Sequence, residues 1–255
     1  LPIALGKTTK LISFINNNKK EYEFEIKWGE QTSTDDREGE IINKSSYIPS
    51  TEEINLMLKK YCGKILQKPP KASSVKISGV RAHKLFRSNI NFETLAKNVE
   101  VYNSTILSSR KKHLTKIKIM CGKGFYVRSF ARDLAEKLGT KGHVFSLKRT
   151  RVGKFSINNA ILLDDLLKIR QRLFGIREIH PSISMLDDIL AHDIDDEKLI
   201  KEISQGKSVK IEPIHFYQKS LDLDEKSTVF LTYKNNVVSF GKLDGCLFVP
   251  QKVLI

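Results

Sequence analysis

The sequence predicts an α+β chain that ends in a small β-rich domain. Three stretches carry that expectation. Residues 19–29 set Tyr22, Phe24, Ile26 and Trp28 on one side and Glu21, Glu23, Glu25 and Lys27 on the other, the period-two alternation of a half-buried strand. Ile117, Ile119 and Cys121 form a second strand, which reaches a helix through Gly122-Lys123-Gly124 with almost no loop. Beyond about residue 197, short apolar runs alternate with turn signals, the texture of small strands.

The remaining elements follow in chain order. Residues 29–39 hold Thr32, Ser33, Thr34, Asp35 and Asp36, which is turn and loop chemistry. Ser50, with Glu53 three residues on, precedes Ile54, Leu56, Met57 and Tyr61, a capping-box helix ending near Gly63. Pro69-Pro70 opens a basic segment, 71–87, in which Lys76, Arg81, Lys84 and Arg87 alternate with Val75, Ile77, Val80 and Leu85. That pattern suits a half-buried hairpin facing a phosphate backbone, or a solvated strand face. After the glycine turn, Val127, Phe130, Ala131, Leu134 and Leu138 fall on one helical stripe that stops at Gly139. Lys148, Arg149, Arg151 and Lys154 form a further basic run. Residues 161–173 suggest another helix, and Pro181 opens a linker-like acidic stretch with Asp187, Asp188, Asp193, Asp195 and Asp196. Asn235-Asn236 lies between two apolar runs, 229–233 and 237–240, and Asp244-Gly245 precedes 246–249, giving two hairpin signals.

Composition narrows the function. The 255 residues carry 44 Lys and Arg against 29 Asp and Glu, a formal net charge of +15, and 40% are apolar. That apolar content can bury a core, which excludes wholesale disorder. No run approaches the ~18 apolar residues of a membrane span, and no secretory signal opens the chain. Cys62, Cys121 and Cys246 are odd in number and far apart, which fits neither a metal cluster nor a disulfide framework and points to the reducing cytoplasm. The charge excess points to an anionic polymer, most simply nucleic acid; an A/T-rich genome favouring Lys codons gives the same balance. His83, His113, His143, His180, His192 and His215 are scattered without ligand spacing, so no metal is expected. Gly6-Lys7-Thr8 mimics the end of a phosphate loop without its preceding glycine, and Gly122-Lys123-Gly124 is too short for a nucleotide cradle. The chain opens at Leu1-Pro2 inside an apolar run, where a natural terminus is usually polar; it reads as entered part-way through an element.

Three side chains stand out. Tyr22 is the first apolar member of its strand, either a core or edge aromatic or a ring that meets a ligand. Tyr126 borders the glycine turn, where its ring could face a ligand or cover the helix start. Arg128 sits in the first turn of a helix, where the macrodipole disfavours a cation. A carboxylate partner or an RNA phosphate explains it, and so does a solvated face.

Several segments together resemble the bacterial tRNA pseudouridine synthase B family. They are Leu1-Pro2-Ile3-Ala4-Leu5-Gly6-Lys7-Thr8-Thr9-Lys10; Lys20-Glu21-Tyr22-Glu23-Phe24 with Gly29 and residues 32–35; Pro69-Pro70 through Ser73, with Val75-Lys76, Gly79 and Arg81-Ala82; Gly122-Lys123-Gly124-Phe125-Tyr126-Val127-Arg128; Asp133-Leu134, Leu138-Gly139 and Leu147-Lys148-Arg149; and the C-terminal Gly241-Lys242-Leu243 and Pro250-Gln251-Lys252-Val253-Leu254. The resemblance implies a mixed, mainly antiparallel central sheet with flanking helices over residues 1–190 and a PUA-like RNA-binding domain over 191–255. It also implies isomerisation of the T-loop uridine at tRNA position 55 by a mechanism that uses neither cofactor nor metal, and nothing in the sequence demands more than a monomer. In such a mechanism the base is flipped into a pocket, an aspartate attacks the nucleotide, the glycosidic bond breaks, and uracil is reattached through carbon. Carried over by motif, Tyr22 would stack on the base and take part in removing the C5 proton. Arg128 would hold the catalytic aspartate, Tyr126 and Leu147 would line the pocket, and Lys76, Arg81, Lys148 and Arg149 would contact the T-arm of the tRNA.

The family's nucleophile lies in a Gly-His-x-Gly-(small or apolar)-Leu-Asp-Pro motif that ends just before the segment matching Leu1, so it is expected upstream and the chain as given is expected to be inactive. None of the aspartates present sits in a comparable motif. Ala72 stands where the family usually has an aromatic, and His83 where it usually has Tyr. A non-catalytic tRNA-binding or folding module is the alternative. A methyltransferase is a weaker one, since it would need a cofactor-binding glycine loop after a parallel strand.

Overall fold

The computed structural model describes residues 2–14, 19–109, 113–168, 179–185, 190–211, 228–234 and 236–255. Leu1, residues 169–173 of the expected helix, Asp187, Asp188, His215 and Asn235 lie outside them. The chain divides into two compact units, Asn17–Asn158 and the combination of Leu1–Asn16 with Asn159–Ile255.

The first unit runs β1 (Lys20–Trp28), β2 (Glu30–Thr32), β3 (Ile41–Lys44), α1 (Thr51–Lys60), β4 (Gly63–Gln67), β5 (Lys76–Ile77), β6 (Val80–Arg81), α2 (Ala82–Arg87), β7 (Lys97–Ser108), β8 (Leu114–Cys121), α3 (Val127–Lys137), β9 (Gly142–Val152) and β10 (Phe155–Ser156). Six strands form one antiparallel sheet in the order β10-β9-β1-β8-β7-β4. The alternation in β1 explains its central place. Phe24, Ile26 and Trp28 are buried with Ile117 and Ile119 of β8, Ile54 and Leu58 of α1, and Phe130, Ala131 and Leu134 of α3. Phe24 and Phe130 meet edge to face with centroids 6.1 Å apart. On the opposite face Glu21 pairs with Lys118 at 3.0 Å and Glu23 with Lys116 at 2.8 Å.

The local signals at the helix ends are realised. Ser50 and Glu53 cap α1 reciprocally, with the Glu53 N–H donating to Ser50 Oγ at 3.2 Å and the Ser50 N–H to Glu53 Oε2 at 2.8 Å. α3 stops before Gly139, whose φ of 73° few other residues would adopt. Of the basic segment only residues 76–81 form a hairpin, β5 to β6, turning through Ser78 and Gly79, both at positive φ; Lys84 and Arg87 lie instead on the helix α2. Two long strands were not expected. β7 is polar over Asn103, Ser104 and Thr105, and β9 contains the basic run, so neither shows a clean apolar period.

The second unit holds a 3₁₀ helix at Gly6–Phe14, α4 (Leu163–Lys168), a 3₁₀ turn at Ser182–Met185, β11 (Leu190–Asp193), α5 (Glu197–Ser204), β12 (Val209–Lys210), β13 (Thr228–Tyr233), β14 (Asn236–Asp244) and β15 (Leu247–Val253). Its sheet has the order β11-β13-β14-β15-β12, and only the β11–β13 pair is parallel. Both expected hairpins, β13–β14 and β14–β15, are present. α5 corrects the expectation of strands and turns after residue 197: Asp196 caps it, its Oδ1 accepting the Lys198 N–H at 2.8 Å, and Leu199, Ile200 and Ile203 pack on the sheet. The expected domain limit at 190/191 falls inside this unit, because Leu11 and Ile183 pack with Phe230, Val237, Phe240 and Leu254. No helix among the described residues is long and apolar enough to cross a membrane.

Candidate active site

The first turn of α3 organises the site. Gly124, at φ 81°, turns the chain out of β8 and delivers Tyr126 as the residue that starts the helix. Gln67, at the end of β4 and 2% exposed, holds that residue: its Oε1 accepts the Tyr126 N–H at 2.8 Å and its Nε2 donates to the Tyr126 carbonyl at 3.1 Å. Tyr126 is thereby fixed by its backbone, with its side chain half-buried.

Arg128 has a carboxylate partner within the chain. Its Nη1 donates to Asp36 Oδ2 at 3.0 Å and to the Thr34 carbonyl at 3.1 Å, and its Nη2 donates to the Ala72 carbonyl at 2.9 Å. Asp36 is itself oriented, because its Oδ1 accepts from Thr34 Oγ1 at 2.6 Å and from the Glu38 N–H at 3.1 Å. With both oxygens engaged, Asp36 serves as an anchor and is poorly placed to attack a substrate. Among the described residues, the Nε–H and one Nη2–H of Arg128 have no partner, so the guanidinium can receive a second carboxylate. Because Arg128 uses the Ala72 carbonyl, the missing aromatic side chain at that position leaves the contact intact.

A second ion pair lies one helical turn on. Arg132 Nη1 is 2.7 Å from Asp35 Oδ2, its Nε is 2.9 Å from Asp133 Oδ1, and its Nη2 donates to the Lys68 carbonyl at 3.2 Å. Burial pushes the Asp35 carboxyl up to about 6 even with this guanidinium beside it.

Tyr22 lies in β1 between Ile119 and Arg149 and packs half-buried against the main core. Burial raises its hydroxyl, partly offset by a hydrogen bond with Arg149. Leu147, 49% exposed, pairs with Phe24, which makes it a diagonal neighbour of Tyr22 on the same sheet face. β8 ends at Cys121, opposite Lys20, so the first turn of α3 begins at the Tyr22 end of the sheet, on the face where Phe24 meets Phe130. By register Tyr22, Leu147 and Arg149 share one sheet face, and Tyr126 and Arg128 open the helix that packs on that face. Lys148 is separated from them: it pairs with Glu23 on the opposite face. Lys76 and Arg81 are exposed on the β5–β6 hairpin, which follows Ala72 directly and is tied to it where the His83 N–H donates to the Ser73 carbonyl at 2.9 Å.

Sequence reasoning missed Asp36, Gln67, Asp35 and Arg132. The only hint was the cluster of turn residues from Thr32 to Asp36. Among the described residues, no group of three or more His, Cys, Asp or Glu side chains could hold a metal ion.

Known proteins resemble the chain in sequence and in fold. Residues 1–127 match the family described as TruB family pseudouridylate synthase (N terminal domain), and residues 128–194 match the tRNA pseudouridylate synthase B C-terminal domain. The chain is 38% identical over 250 residues to tRNA pseudouridine synthase B of Ehrlichia ruminantium, covering 93% of this chain and 82% of that one. It is 39% identical over 261 residues to the Sinorhizobium medicae protein of the same name, covering 99% and 81%. In structure it is similar to a chain of a Cbf5-Nop10-Gar1 complex, with a TM-score of 0.71 at 19% identity, covering 100% of this chain and 72% of that one. It is also similar to a chain of an H/ACA RNP bound to a substrate RNA containing 2'-deoxyuridine, with a TM-score of 0.69 at 16% identity and coverage of 99% and 71%. Two adjoining family models that together span residues 1–194, relatives matching nearly all of the chain and the shared fold lead to one conclusion: the chain belongs to the TruB family of pseudouridine synthases.

Proposed function

We propose that this chain carries the base-binding and arginine half of an enzyme that converts the T-loop uridine at tRNA position 55 to pseudouridine. The observation that supports the reading is the state of Arg128, fixed by Asp36, Thr34 and Ala72 yet left with two N–H donors. The aspartate of the family's Leu-Asp-Pro motif docks on those donors, which keep it ionised and oriented in a poorly solvated pocket. The uridine leaves the folded T-loop at a cost of a few kcal/mol and stacks on Tyr22, with Tyr126 and Leu147 lining its pocket. The aspartate attacks the nucleotide, the glycosidic bond breaks, and uracil rejoins through carbon. Tyr22 takes part in removing the proton from C5.

Lys76, Arg81 and Arg149 meet the phosphates of the T-arm, and the sheet of residues 191–255 adds RNA contacts as a PUA-like domain. The enzyme works as a monomer in the cytoplasm, and no step of the mechanism calls for a metal or cofactor.

The test uses protein in which the family's nucleophile motif precedes Leu1, with a T-arm hairpin labelled with tritium at uridine C5. Release of tritium by this protein, and its loss in Tyr22→Leu with hairpin affinity unchanged, is the expected result. Tight binding without release would establish the non-catalytic RNA-binding module instead.

A further inference from the structure

Arg128 is not held alone. Arg132 follows it by one turn on α3, so both guanidiniums leave the same helix face. They grip the same two segments in the same way. Arg128 takes Asp36 from the β2–β3 loop and the Ala72 carbonyl from the stretch after β4, whereas Arg132 takes Asp35 and the Lys68 carbonyl from those same segments. Ser129 Oγ adds a further bond to the Lys68 carbonyl at 2.7 Å. The backbone at Asp35 and Asp36 is bridged to Val144 of β9, and the two arginines, with Ser129, supply the side-chain bonds that seat α3 against both segments.

We infer that Arg132 and Asp35 form a positioning pair that sets the direction of the Arg128 guanidinium toward the carboxylate it receives. The inference rests on the reading of Arg128 given above. Asp133 holds the plane of Arg132 through Nε at 2.9 Å and Nη2 at 2.8 Å, which directs Nη1 to Asp35. Asp35 is 6% exposed, so an unpaired charge there is costly, and the contact is either whole or lost. The backbone of Asp35 and Asp36 is itself held to Val144 and Thr32, so the Arg132–Asp35 bond sets how α3 seats on that fixed loop and, one turn earlier, how the Arg128 guanidinium meets Asp36.

The charged groups facing Asp35 are Arg132, Asp133 and Arg128 on α3 and Asp36 on its own loop. Its carboxyl titrates at about 6, so the pair is charged at neutral pH and is neutralised as the medium becomes more acid. Acidification through that window withdraws the tether and leaves the RNA-binding surface unchanged.

Asp35→Asn, isosteric and uncharged, is the primary test, measured as single-turnover C5 tritium release in the same motif-bearing protein. A misaimed guanidinium is expected to lower kcat by about 100-fold, with KM for the T-arm hairpin within about twofold. The acid limb near pH 6 in the wild-type kcat profile should disappear in the variant. Arg132→Lys, which keeps the charge but cannot serve Asp35, Asp133 and the carbonyl together, should lose about 10-fold. In the 255-residue chain itself, the Arg128 Nε–H resonance should broaden in Asp35→Asn and remain sharp in the wild type. Wild-type turnover together with a kcat within threefold in both variants would overturn the pair's role and leave the parent reading standing. A loss confined to KM or to the melting temperature would overturn that role equally. Absence of turnover in the wild type would sink the parent reading itself, and a sharp Arg128 resonance in Asp35→Asn would then sink the pair as well.

Discussion

Gln67 and Tyr126 exchange two hydrogen bonds, one from the Tyr126 N–H and one to the Tyr126 carbonyl, although 59 residues separate them in sequence. A single buried amide thus ties the end of β4 to the start of α3, and with it the ring that is to line the base pocket. Replacing Gln67 with Leu leaves the Tyr126 N–H unpaired and strips one donor from the Tyr126 carbonyl, which keeps the Phe130 N–H at 3.0 Å. That should cost about 2–3 kcal/mol, read as a shift in the urea midpoint without a change in slope.

Asp35 makes stability depend on pH in a defined direction. Its carboxyl titrates at about 6 in the folded chain against a usual value of 3.8. Between those values the folded state keeps a proton that the unfolded chain has released. Its stabilising contribution is therefore complete below the lower value and fades as pH rises through the upper one. Between pH 7.5 and pH 5, the wild type should gain about 1.5 kcal/mol relative to Asp35→Asn in paired urea titrations. A difference independent of pH would contradict the burial of this carboxyl.

Lys148 and Arg149 are adjacent in sequence and lie on opposite faces of the sheet. Arg149 is paired with Tyr22 and Lys148 with Glu23. Arg149→Ala should weaken T-arm binding and lower the slope of log K against log salt by about one unit, whereas Lys148→Ala should leave the slope unchanged. Equal effects would place RNA on both faces.

Gly39 closes the loop that carries both aspartates. A Cβ there would sit 2.7 Å from the Thr34 amide nitrogen, against the residue that fixes Asp36. Gly39→Ala should displace that turn, with a stability loss of about 1–3 kcal/mol and a drop in turnover larger than any drop in RNA affinity. Unchanged turnover would show that the loop tolerates the shift.

Much of this architecture was legible from local signals. The alternation of Tyr22, Phe24, Ile26 and Trp28 marked the central strand because the buried and charged faces of β1 are both real. Ser50 with Glu53, and Gly139, marked helix ends because caps are local chemistry. The site was only half legible. Arg128 in a first turn demanded an explanation, but its partner is 92 residues away and no periodicity joins them. Arg132 sits on the polar stripe of α3, where a solvated arginine looks the same as a buried one. β9 hid behind its basic run, since exposure of Leu147, Lys148 and Arg149 removes the apolar period that would have announced a strand.

The proposed chemistry depends on Arg128 as the seat of the attacking carboxylate, and the substitution Arg128→Lys tests this most directly. Lysine keeps the charge but cannot hold Asp36, two carbonyls and a second carboxylate at once. In protein carrying the nucleophile motif, the single-turnover rate of pseudouridine formation on a T-arm hairpin should fall at least ~100-fold while the Kd for that hairpin stays within about threefold. A rate within about threefold of the wild type would contradict that role for Arg128.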